Sequence, residues 1–105
     1  RHELEAVRAE REDARRSRRA LLDQTLATWR SKREQAARYR DTLLPLARDR
    51  SAVTLAAYGG GASLQPWLEA RSDEIEQRLA HLATVADQGR AWALLATLLD
   101  EGGSS

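Results

Sequence analysis

The stretch Leu55-Ala56-Ala57-Tyr58-Gly59-Gly60-Gly61-Ala62-Ser63-Leu64-Gln65-Pro66-Trp67-Leu68 decides the fold. Three glycines in a row end a helix, because they adopt positive φ without a Cβ penalty and let the backbone reverse. Ser63 follows as a candidate N-cap, and Pro66 falls in a first helical turn, where its missing N–H would lack a partner anyway. Before and after this stretch the chain is built from helix formers. The prediction is an all-α fold: one long antiparallel two-helix coiled-coil hairpin spanning residues 1–105. Its first helix covers 2–57, the turn 58–63 and the second helix 64–100, with a frayed tail over 101–105.

Outward from the turn, periodicity supports both arms. On the first, Leu22, Leu26, Trp29, Ala36, Leu43 and Ala47 recur in steps of three and four, with Arg33 and Arg40 in the same register. A second stripe, Tyr39, Leu43, Leu46, Val53 and Ala57, lies beside it and implies a further neighbour. On the second arm the predicted seam is Leu68, Ser72, Ile75, Leu79, Leu82, Ala86, Gly89 and Ala93. Pro45 removes a donor and crowds the carbonyl of Asp41, so a kink is expected over residues 41–45. The charged first twenty residues have Leu4 and Val7 as their only large apolar groups. They should overhang the second helix, since the arms would reach ~80 and ~50 Å, and should fray when unsupported.

Composition agrees. The 105 residues contain no Phe, Met or Cys, and 31% of them are charged. The apolar fraction rests on Ala and Leu, which suits thin helical seams better than a compact core. Opening at Arg1 inside a helical pattern, without Met, reads as a piece of a longer protein. Residues 1–57 hold 14 basic and 9 acidic side chains, a net +5, and residues 64–105 hold 3 and 7, a net −4. Opposite charge favours the antiparallel pairing, at a few tenths of a kcal/mol per exposed pair. A thin hairpin of this kind is expected to self-associate or to pack among other helices.

Chemistry-bearing constellations are absent. His2 and His81 have no ligand partner at helical spacing, so no metal site is expected. Asp73, Glu74 and Glu76 read as a solvated helix face. The glycine run lacks the strand before it and the Lys-Ser/Thr after it that a phosphate loop uses. Arg15-Arg16-Ser17-Arg18-Arg19 has Glu10, Glu12 and Asp13 beside it and no aromatic interleaved for stacking, so no nucleic acid is expected. The chain reads as no enzyme and as needing no cofactor.

Three motifs carry a resemblance. The turn Tyr58-Gly59-Gly60-Gly61-Ala62-Ser63-Leu64, followed by Leu68-Glu69-Ala70, is similar to the periplasmic hairpin near the C-terminus of TolC-family outer-membrane efflux proteins. Upstream, Leu43-Leu44-Pro45-Leu46-Ala47 resembles that family's Leu-Pro-Leu-Ala stretch. Downstream, Gly89-Arg90-Ala91-Trp92-Ala93 resembles the Arg-Ala-Trp-Ala region of its CzcC-like, heavy-metal branch. The turn is about one residue shorter than the family's usual pattern, and Ala62 stands where the family often has Arg or Lys. The resemblance implies a hairpin from the α-helical tunnel of a homotrimeric duct, in the periplasmic part of an outer-membrane protein of a Gram-negative envelope. It further implies that Tyr58, Gly59, Gly60, Gly61, Ala62, Ser63 and Leu64 form the tip that contacts the membrane-fusion adaptor. The adaptor would couple the duct to an inner-membrane RND pump, and metal cations are the suggested cargo. The alternative from another class is a cytoplasmic coiled-coil scaffold or tether without a transport role.

Overall fold

The computed structural model describes residues 2–103 and is a rod 87 Å long and 21 by 14 Å across. Helix α1 runs His2–Arg38, a π-helical turn spans Tyr39–Leu43, α2 runs Leu44–Gly59 and α3 runs Gln65–Gly103. α1, the π-turn and α2 form one continuous arm, whose residues 2–59 at ~1.5 Å each account for the length of the rod. α3 folds back along it, so the hairpin is antiparallel and no strand occurs among the described residues.

The bounds differ from the sequence reading at each end of the turn. Tyr58 and Gly59 still belong to α2, and Gly60–Leu64 make the reversal. Gly59 has ordinary helical geometry, which glycine permits at modest cost. α3 starts one residue late, at Gln65, and extends through Glu101–Gly103, so the expected tail is helical there. Ser104, Ser105 and Arg1 lie outside the described residues. The N-terminal overhang is helical from His2, with every described residue to Ala20 exposed. Arg16 bonds Asp13 at 3.0 Å and approaches Glu12 at 3.8 Å, support of the three-and-four-apart kind.

The irregularity expected near Pro45 takes the form of the π-turn. The amide of Leu44 donates to the carbonyl of Tyr39, five residues back. Pro45 has no N–H to offer the carbonyl of Asp41, and a widened turn relieves the clash of its ring with that carbonyl. The extra residue also resets the register. Residues facing α3 run Leu22, Thr25, Trp29, Lys32, Ala36 and Tyr39, then step by five to Leu44, Ala47 and Ser51.

The seam of α3 is not the predicted one. Ala70, Glu74, Gln77, His81, Thr84, Ala91, Leu95 and Leu98 face the other arm, whereas Leu68, Ser72, Ile75, Leu79, Leu82, Ala86, Gly89 and Ala93 are all exposed. A 4-3 apolar spacing marks a face that needs covering without saying which neighbour covers it. Over residues 70–91 the hairpin closes on small and polar side chains, and Leu95 and Leu98 join the seam beyond them. Thr25 and Thr84 satisfy their buried hydroxyls on the carbonyls of Leu21 and Ala80, at 2.7 and 2.9 Å. Glu74 is 4% exposed and is paired with Arg71 and Arg78 on its own helix, which corrects its reading as a solvated carboxylate. Cross-arm contacts fix the register: Trp29 with Trp92, Tyr39 with His81, and Lys32 Nζ 3.5 Å from Asp87 Oδ2.

Candidate docking site at the glycine turn

Four backbone hydrogen bonds build the turn. Gly60 N–H is shared between the carbonyls of Ala56 and Ala57, each at 3.1 Å, and Gly61 N–H donates to Tyr58 at 3.0 Å. Ala62 N–H reaches back five residues to Ala57 at 2.9 Å. The last two bonds are the pair that defines a Schellman motif, with Gly61 in the place that requires positive φ. Gly61 has φ +104°, whereas Gly60 lies at φ −89° and ψ 7°.

On the returning side, Trp67 and Leu68 N–H donate to the carbonyl of Leu64 at 3.1 and 3.2 Å. Leu64 therefore takes the N-cap position predicted for Ser63, and its apolar side chain supplies no oxygen to the helix start. Pro66 sits in the first turn of α3, as its missing donor allows.

The structure brings Tyr58, Gly59, Gly60, Gly61, Ala62, Ser63 and Leu64 together at one end of the rod, all exposed. No charged residue occurs from Ser51 to Leu68, so this end differs sharply from the charge-rich stalk. Leu55, Tyr58 and Leu64 stand exposed around the turn. A Cβ at Gly59 would meet nothing within 4 Å. The fold therefore leaves Gly59 unexplained, and its bare backbone allows close approach from outside.

Behind the tip, Arg48, Ser51, Trp67, Arg71 and Glu74 line an open cleft of about 510 Å³ between α2 and α3. Ser51 Oγ is buried there without a hydrogen-bond partner. The sequence placed Glu74 on a solvated face and gave no sign of Ser51, although arginines three before and four after Glu74 were a visible sign that its charge could be held on its own helix. The two shifted carboxylates both stand beside arginine. Asp41 is lowered by its hydrogen bond to Arg40, and Asp87 by its bond to Arg90, with burial opposing and the Lys32 charge adding.

Tip and cleft contain no nucleophile paired with a base. Among the described residues no group of three His, Cys, Asp or Glu is placed to hold a metal ion. No helix among them is long and apolar enough to cross a membrane. Comparison with protein-family models, curated proteins and solved structures finds no match for this chain.

Proposed function

We propose that this chain is a tunnel hairpin of a TolC-like outer-membrane export duct whose turn docks a membrane-fusion adaptor. The duct would be a homotrimer in the periplasm, working with an inner-membrane RND pump, and metal cations are the cargo suggested by the motif at Gly89–Ala93. The hairpin itself is passive: it contributes wall and tip, and the pump supplies the energy.

One observation carries the reading. Over residues 70–91 of α3 the hairpin buries small and polar side chains and turns Ile75, Leu79 and Leu82 outward, and Leu46 and Val53 on α2 are exposed likewise. A two-helix tether that stood alone would bury those leucines. A helix in a wall of helices needs apolar cover on more than one side. The uncharged, glycine-bearing end adds a surface suited to another helical tip.

The test uses the longer protein that carries this hairpin, in a cell dependent on it for resistance to divalent cations or drugs. Gly59→Leu fills open space at a helical position, so the hairpin keeps its fold while the tip loses its close approach. Loss of resistance with normal protein level, and retained resistance in Gly59→Ala, is the expected result. Unchanged resistance in Gly59→Leu removes the docking role, and recovery of the protein in the cytoplasm returns the chain to the tether reading.

A further inference from the structure

The cleft behind the tip is graded from charged to apolar. Arg48, Ser51 and Leu55 line it in that order along α2 toward the turn, and Glu74, Arg71 and Trp67 do so along α3. Its far end is therefore polar, and its tip end is an indole beside a leucine. At about 510 Å³ it falls within the size range of small-molecule sites.

The charge at the polar end does not cancel. Both oxygens of the buried Glu74 carboxylate are taken on its own helix, Oε2 by Arg71 and Oε1 by Arg78. Arg48 has no ion-pair partner among the described residues. The lining thus holds two arginines and one carboxylate, a net charge of +1 that a single anion neutralises.

Ser51 is the independent sign of a ligand. It is 8% exposed, and its Oγ is buried without a hydrogen-bond partner. The hydroxyls of Thr25, Thr54, Thr84 and Thr97 each donate to the carbonyl four residues back. The helices offer that bond, and Ser51 does not take it. A buried hydroxyl left unpaired destabilises the chain, and an acceptor brought to it by a ligand removes that cost.

We infer that this cleft binds a small monocarboxylate with a flat apolar body. The carboxylate accepts from Arg48 and from the Ser51 hydroxyl, with the Arg71 charge beside it. Both arginines are exposed, and their long side chains swing to admit the carboxylate to Ser51. The body lies toward the turn, against Trp67 and Leu55. A cation would meet the net positive charge, and a neutral ligand would leave Arg48 unpaired. The inference does not depend on the export reading, because a turn that docks nothing leaves the cleft intact.

Benzoate is the probe, titrated into the chain while the indole N–H resonances of the three tryptophans are followed, Trp67 being assigned through Trp67→Phe. Benzoate is expected to shift Trp67 and to leave Trp29 and Trp92 in place. Benzyl alcohol lacks the carboxylate and inorganic phosphate lacks the apolar body, so each should bind at least about ten-fold more weakly. Ser51→Ala and Arg48→Gln should each weaken benzoate by about ten-fold, the worth of one charge-assisted hydrogen bond. No shift of Trp67, equal shifts of all three indoles, or equal binding of either control overturns the inference. So does unchanged benzoate binding in both variants when their helicity is intact.

Discussion

The indole of Trp29 on α1 meets that of Trp92 on α3 with ring centroids 5.7 Å apart and planes inclined by 43°. Arg33 lies over the Trp29 ring, its guanidinium carbon 5.4 Å from the centroid. Trp29 is half-buried and Trp92 is more than half exposed, so the two residues contribute unequally. Trp29→Ala is expected to destabilise the hairpin by about 2 kcal/mol and Trp92→Ala by about 1 kcal/mol. The double variant should fall short of the sum by roughly 0.5–1.5 kcal/mol, the worth of the ring pair itself. Urea unfolding followed by helicity gives all three values, and strict additivity would show that the rings do not interact.

Asp87 ties the same region to pH. The hydrogen bond from Arg90 is the main cause that holds its carboxyl below the usual carboxylate range; partial burial opposes it, and the charges of Arg90 and Lys32 reinforce it. Its value in the folded chain lies below its unfolded value. The stabilisation is therefore fully present above the ordinary carboxylate range and is lost as pH falls through the lowered folded value. Thermal unfolding midpoints should decline on the acid side, and Asp87→Asn should flatten that decline while leaving the other carboxylates to set the remainder. An acid limb identical in both proteins would show that Asp87 contributes nothing to it.

The fold was legible because its punctuation is local. Gly59-Gly60-Gly61 allows one outcome in a chain otherwise made of helix formers, and the arms follow from it. On the first arm Leu22, Trp29, Ala36 and Ala47 face α3 as their spacing indicated. On α3 the spacing of Leu68, Ile75, Leu79 and Leu82 identified a real apolar face but assigned it to the wrong neighbour. Periodicity reports that a face avoids water, and the burial of Glu74 and Thr84 depends on bonds to Arg71, Arg78 and Ala80 that spacing does not encode. Pro45 announced an irregularity, while the π-turn that converts it into a one-residue register shift depends on packing over both halves of the arm. At the tip, the residues were legible and their caps were not: Leu64 took the place that residue preference gives to Ser63.

The glycines of the turn differ in what they do for the chain. Gly61 holds φ +104°, where any side chain is strained, so Gly61→Ala should cost about 1 kcal/mol or more. Gly59 is helical with open space at its Cβ, so Gly59→Ala should stabilise by about 0.5–1 kcal/mol through helix propensity and a less disordered unfolded chain. Thermal unfolding of the two variants distinguishes these effects by sign. A stabilising Gly61→Ala would contradict the turn geometry, and a destabilising Gly59→Ala would mean that its backbone serves the fold.

The same reasoning separates the two faces of α3. Leu95 is 6% exposed on the inner side, and Leu79, sixteen positions earlier, lies outside. Replacing Leu95 by alanine removes apolar area from the seam and leaves a gap between the arms, a loss of about 2 kcal/mol. Leu79→Glu places a charge where water already reaches, and in dilute solution it should change hairpin stability by no more than about 0.5 kcal/mol. If the seam instead followed the apolar spacing of α3, the order would reverse, because Leu79→Glu would bury an unpaired carboxylate between the arms. Urea midpoints measured at low chain concentration, where association of copies does not contribute, decide between the two registers with these substitutions alone.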